Sequence, residues 1–317
     1  MEVQNALANR IDTAGAMSSY DEACKQILAN KIILAWIMKH CVKEYADYSV
    51  EEIAAKYIEG EPEVSKVPVH PDEIAEFIGG MNTEDTTMKE GTVTFDIKFK
   101  AIIPNTNVIE DMIINVEAQN DFYPGYPIIK RGIYYASRMI SSQYGTVFED
   151  SHYEKIKKVS SIWICTRPPK YRQNTITGYE LIEKNIYGKV EENKDNYDLI
   201  SVVIICLGEA GQKSNEALIR MLFVLLSDNM EPKDKKETLK TEFGIPMTRE
   251  LESEVEKLCN LSQGVYDKGY DKATVEHIKN MMRKKGWDIE ECMDTLDIPE
   301  EKKASYRAAV LGVAVTA

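Results

Sequence analysis

Histidine and cysteine are too few and too scattered in this sequence to build the sites they usually build. The four histidines, His40, His70, His152 and His277, stand far apart, so no Ser/His/Asp or Cys/His arrangement supports nucleophilic catalysis. The six cysteines (24, 41, 165, 206, 259 and 292) include no Cys-x-x-Cys and no histidine at zinc spacing. They read as reduced thiols of a cytoplasmic protein rather than as a disulfide or zinc framework. No stretch approaches the ~18 uncharged apolar residues of a membrane span; the longest apolar runs are Ile32–Met38 and Val202–Leu207. The opening MEVQNALANR has no basic region followed by an apolar one, so it does not read as a secretory signal. Internal repeats and low-complexity tracts are also lacking.

What is present is ordinary globular composition, 44% hydrophobic and 29% charged over 317 residues, a length that suggests about two domains. The formal charge is -13, but it is uneven: Ile128–Arg172 holds nine basic and three acidic residues, a local +6 against -19 elsewhere. Such a stretch either presents an anion-binding surface or is simply solvated.

The pattern opens helical. Ser19 and Glu22 have capping-box spacing ahead of a stripe running through Ile27, Leu34 and Cys41, and Ser49 with Glu52 caps a shorter helix reaching Ile58. Residues 60–92 read as a connection with a short helix beginning at Pro71. Period two follows. In Thr92–Ile103, Val93, Phe95, Ile97, Phe99 and Ala101 share one face, and Asp96, Lys98 and Lys100 the other. After a turn at Pro104–Asn107, Met112–Gln119 alternates again, with Asn115, Glu117 and Gln119 on one side. Tyr126–Tyr144 is helical, and Ser161–Thr166 and Leu199–Leu207 are continuous apolar runs typical of strands covered on both faces. Helical segments then follow at 214–227, 232–242, 248–260, 264–285, 289–296 and 299–312. The fold class is therefore α/β: a mixed sheet flanked by helices over residues 1–213, then a helical region over 214–317.

Pairing the two period-two segments as a hairpin makes residue numbers summing to 213 face each other, which sets Asp96 opposite Glu117. Two carboxylates about 5 Å apart repel, and something must compensate. A divalent cation is one solution, and hard oxygen ligands suit Mg²⁺. Balance by Lys98 and Lys100 is the other. Gln119 lies on the same face, where its amide can hold water or a phosphate oxygen but is a poor base. The following helix carries Lys130, Arg131 and Arg138, cations suited to phosphate charge.

The runs FDIKFKAIIP and IINVEAQNDFYPGYPIIKRGIYYASRMISSQYG, with YEKIKKVSSIWICT, VVIICL and LCNLS, resemble the PD-(D/E)XK nuclease family transposases related to recombination-promoting nucleases. The resemblance covers most of the chain and is most specific at FDIKF, VEAQ and KRGIYY. It implies a restriction-endonuclease-like core and Mg²⁺- (or Mn²⁺-) dependent cleavage of DNA; oligomeric state stays open, although paired cuts in duplex DNA would favour a homodimer. It assigns Asp96 and Glu117 to the metal and Gln119 to the position usually held by Lys; Phe95 stands where Pro often precedes the Asp. Lys130 is the nearest cation to replace that Lys, with Arg131 and Arg138 on the DNA phosphates. Glu22 is a further acid from the first helix, with Asp21 and Glu44 also available. The alternative is a nuclease-fold protein that cleaves nothing and binds nucleic acid or protein.

Other signals carry less. Gly208–Ser214 has too short a glycine spacing for a phosphate-binding loop, so no nucleotide cofactor is expected. Tyr134, Tyr135 and Tyr144 either stack on bases or pack on the sheet. The acidic GWDIEECMDTLDIPEEKK disfavours a DNA-reading helix pair, and the apolar end Ala308–Ala317 is expected to be buried or in an oligomer interface.

Overall fold

The computed structural model describes residues 18–64, 84–87, 91–104, 111–208, 216–227 and 230–311. The expected helix at Pro71, the hairpin turn beyond Pro104, most of the Gly208–Ser214 turn and the last residues of the apolar end lie outside them. The chain divides into two compact units, one spanning Glu22–Glu256 and the other containing the C-terminal helices from Lys257.

The first unit is a mixed sheet flanked by helices. Helix α1 covers 18–28 and α2 covers Lys31–Cys41. The sequence stripe runs through both without a gap, but Asn30 interrupts the helix: its side chain accepts from the Ile32 N–H at 3.1 Å and starts α2 afresh. α2 buries Ile33, Leu34, Ala35, Ile37 and Met38. Ser49 caps a single turn, α3 (Val50–Glu52), by accepting from Glu52 N–H at 3.1 Å.

Among the described residues the strands are β1 (Glu63–Val64), β2 (Glu84–Thr87), β3 (Gly91–Thr94), β4 (Ile97–Ile102), β5 (Asp111–Asp121), β6 (Val159–Arg167), β7 (Thr175–Glu180) and β8 (Ile200–Cys206). β2 and β3 form their own antiparallel pair; the other six form one sheet in the order β1-β4-β5-β6-β8-β7. β5, β6 and β8 run parallel at its centre, and β4 and β7 flank them antiparallel. Helix α4 (Ile128–Ser141) makes the crossover from β5 to β6.

α4 packs on the sheet face that carries Ile113, Val159, Trp163, Cys165, Val202 and Ile204, using Ile128, Tyr135, Ala136 and Met139. Gly132 is the point of closest approach: a Cβ there would meet Val202 Cγ1 at 2.7 Å and Trp163 Nε1 at 3.1 Å. Trp163 is fully buried, and its indole N–H donates to Ser161 Oγ at 2.9 Å, so its apolar area is gained with no orphaned donor. The opposite face, through Ile97, Phe99, Ile114, Val116, Ile162 and Ile205, is buried as well. Each such side chain contributes about 1.5–3 kcal/mol of burial.

β7 is an edge strand that the sequence reading did not include. Beyond it, residues 181–193 form an irregular loop that leaves Ile186 and Tyr187 exposed, closed on itself by two hydrogen bonds between Asn185 and Val190.

Helices α5 (Ala217–Leu226) and α6 (Pro232–Phe243) complete the Glu22–Glu256 unit with the first turns of α7 (Arg249–Lys285). α7 is one helix where the sequence suggested two. In the C-terminal unit, Ile278 of α7 packs with Cys292 and Met293 of α8 (Ile289–Thr295) and Tyr306 of α9 (Glu300–Leu311). Asp288 and Glu291 form a complete capping box at α8. Among the described residues no helix is long and apolar enough to cross a membrane.

Candidate functional site

The register of β4 on β5 pairs Ile97 with Val116 and continues to Ile102 with Asp111. Residue numbers sum to 213, as the alternation implied. One step further along the same ladder brings Asp96 to Glu117. The expected strand Thr92–Ile103 is not continuous, however: β3 ends at Thr94 and the chain bends at Asp96. The bend has a local cause. The Asp96 N–H donates to Glu117 Oε1 at 3.0 Å instead of to a strand carbonyl, and the Ala118 N–H donates to Asp96 Oδ2 at 3.1 Å. Each carboxylate therefore holds the other segment's backbone.

Glu117 is only 3% exposed. Asn115 Nδ2 donates to the same Oε1 at 3.0 Å, while Asn115 Oδ1 is buried with no partner among the described residues. Burial, and after it the Asp96 carboxylate, pushes the Glu117 carboxyl well above the usual range. The Arg131 guanidinium, from α4, pulls the other way. Arg131 lies over the rings of Tyr135 and Trp163, 5.0 and 5.2 Å from their centroids, and donates to Tyr135 Oη at 2.7 Å. Tyr135, buried and facing Glu117, has its hydroxyl pushed up to about 12.

The cation on Asp96 is one that sequence spacing did not single out. Lys25 Nζ, from α1, is 2.8 Å from Asp96 Oδ1, with the two side chains 4% and 15% exposed. The available signal was a lysine set among Ala23, Cys24, Ile27 and Leu28 on a buried helix face. Lys98 is itself buried, its ammonium 4.8 Å from the Phe95 ring centroid. Glu22 is exposed on α1, and Glu44 instead receives Lys158 at 2.6 Å. Gln119 is half-buried towards the end of β5, in register with Cys165.

The basic stretch is divided between inward-turned and exposed side chains. Arg138 is 2% exposed and donates to Tyr134 Oη at 3.0 Å, so it is not on a phosphate-facing surface. Lys158 joins Glu44 and Asp198, and Lys157 pairs with Asp111. Lys130 is exposed two residues from Ile128 and Gly132, so on a helix it faces away from the sheet that they contact. Arg131 takes the place by the carboxylates that the sequence reading gave to Lys130. Lys155, Arg167 and Lys170 remain exposed. Tyr135 packs on Phe95 and Trp163, whereas Tyr134 and Tyr144 are exposed.

Among the described residues there is no cluster of three or more His, Cys, Asp or Glu. Two carboxylates with waters are still a sufficient protein share for Mg²⁺, and Asp96, Glu117 and Gln119 offer oxygen donors. A buried carboxyl raised by a second carboxylate gains from a nearby cation, and the Lys25 ammonium already stands in for one at Asp96. The donor set fits the ion, with Lys25 as its competitor. The chain matches no family model, no curated protein and no solved structure.

Proposed function

We propose that the Glu22–Glu256 unit is a restriction-endonuclease-like, Mg²⁺- or Mn²⁺-dependent DNA endonuclease of the transposase-associated PD-(D/E)XK group. The observation that carries this reading is the Asp96–Glu117 pair, locked together by reciprocal backbone hydrogen bonds at the end of the β4–β5 ladder. The succession of an antiparallel hairpin, the α4 crossover and parallel β6 supports the core assignment.

Asp96 and Glu117 would hold the ion, which when bound polarises a phosphoryl oxygen and activates water. Gln119 orients the attacking water or the scissile phosphate through its amide and takes no proton. Arg131, fixed by stacking on Trp163 and Tyr135, directs positive charge at the site without having to reorganise, which is how preorganised cations lower the cost of developing phosphate charge. Lys25, which pairs with Asp96, is the group that such an ion would have to displace. The test is plasmid nicking by the full-length protein with Mg²⁺ or Mn²⁺, lost in Asp96→Ala and Glu117→Ala. Unchanged nicking in both variants would overturn the assignment.

The Lys25–Asp96 ion pair favours one other reading, a nuclease-fold binding module whose lysine has taken over the neutralising role permanently. That protein shifts DNA in a salt-sensitive manner, cleaves none with either metal, and binds equally well after both substitutions.

A further inference from the structure

Two buried thiols lie side by side on the central strands, Cys165 in register with Gln119 of β5. Cys165 of β6 and Cys206 of β8 are directly opposite in the parallel register, and both are free and buried. Neighbouring strands run about 4.8 Å apart, inside the roughly 4.4–6.8 Å Cα separation that a disulfide spans. On its other side Cys206 is opposite Thr175 of β7, whose hydroxyl donates to the Arg172 carbonyl at 2.6 Å. A pocket of about 100 Å³ opens onto Cys206, walled by Phe122, Tyr123, Ile128, Arg172 and Tyr179. Arg172 Nε is shut off from solvent there, with no partner among the described residues.

We infer that Cys165 and Cys206 are a peroxide-reactive dithiol, with Cys206 the attacking sulfur and Cys165 the resolving one. The pocket admits a molecule as small as hydrogen peroxide. Cys206 sulfur attacks one peroxide oxygen and the O–O bond breaks. The departing hydroxide takes the Cys206 proton and leaves as water, and a sulfenic acid remains. Cys165 sulfur then attacks Cys206 sulfur, forming S–S and breaking S–O, and the Cys165 proton leaves with the hydroxide as a second water. Two thiols and one peroxide thus give one disulfide and two waters.

The division of roles agrees with the electrostatics. Against its burial, the neighbouring Cys165 thiol and, after it, Arg172 hold Cys206 below the ordinary thiol range, whereas Cys165 is raised by Cys206 and by burial and keeps its proton. Cys41 and Cys292 are both raised, chiefly by burial.

This inference is independent of the nuclease reading, and its test uses neither metal nor DNA. The full-length protein is treated with hydrogen peroxide, its thiols are counted, and it is peptide-mapped without reductant. Two of the six thiols disappear, one cross-link joins the Cys165 and Cys206 peptides, and dithiothreitol restores the full count. In Cys165→Ser, dimedone traps a sulfenic acid on Cys206, and Arg172→Leu slows the wild-type oxidation severalfold. A full thiol count after peroxide, or a cross-link between any other pair, overturns the inference. The wild-type map alone decides the matter if Cys165→Ser does not fold.

Discussion

Asp96 and Glu117 hold each other through main-chain amides as well as through charge. The N–H of Asp96 reaches Glu117 at 3.0 Å, and the N–H of Ala118, next to Glu117, reaches Asp96 at 3.1 Å. A regular ladder would not have spent these donors on side chains. The bend between β3 and β4 is the structural trace of that exchange, and it fixes both carboxylates before any ligand arrives.

Glu117→Gln should stabilise the protein and abolish cleavage. Burial and the neighbouring Asp96 raise the Glu117 carboxyl in the folded state. Between the unfolded value, about 4.3, and that raised value, the folded chain keeps a proton the unfolded chain releases. Stability therefore falls as pH rises through the window. The amide removes this penalty while still accepting through its oxygen. Urea unfolding at pH 7 should show a gain of ~0.5–2 kcal/mol that shrinks as the pH approaches about 4. A variant weaker than wild type at pH 7 would mean that the ionised carboxylate is the stable form.

Lys25→Met leaves Asp96 without its ammonium, 2.8 Å away. Removing one member of a buried pair costs about 3–5 kcal/mol. Added Mg²⁺ should return part of that loss, since a ligand at a hundredfold over its Kd contributes about 2.7 kcal/mol, and the rise in Tm should exceed that of wild type. If Mg²⁺ leaves the Tm of the variant where it was, no ion binds between the carboxylates.

Gly132→Ala should destabilise despite alanine's better helix propensity. The added methyl meets Val202 Cγ1 at 2.7 Å and the Trp163 indole at 3.1 Å, and overpacking costs about 1–3 kcal/mol against about 1 kcal/mol gained in the helix. Urea midpoints should fall, and Val202→Ala in the same chain should recover most of the loss. Additive losses in the double variant would show that α4 does not bear on Val202.

The β4–β5 register was legible because strict alternation flanks a turn-prone Pro104–Asn107, and a one-residue slip would have inverted both faces. The Lys25 pairing was not, since Lys25 sits on a helix far upstream of its partner Asp96 and local spacing carries no such pairing. Which of the nine basic residues of 128–172 face outward was not legible, for a related reason. Net charge counts side chains without their direction, and Arg138, Lys157 and Lys158 spend theirs on internal partners. β7 escaped notice because Thr-Ile-Thr-Gly-Tyr-Glu is short, interrupted by Gly178 and half-buried, as edge strands are. The break expected between 260 and 264 is absent because a helix as long as α7 absorbs even two glycines, Gly264 and Gly269, at about 1 kcal/mol each.

The loop that exposes Ile186 and Tyr187 joins β7 to β8, yet those strands are bound by six residue pairs from Thr175–Cys206 to Glu180–Ser201. Covalent continuity at the loop tip adds little to what the pairing already secures, as is common for exposed tips. The tip is therefore the place to splice in an epitope or a fluorophore-bearing peptide, reporting on the protein in solution while leaving β4 and β5 untouched.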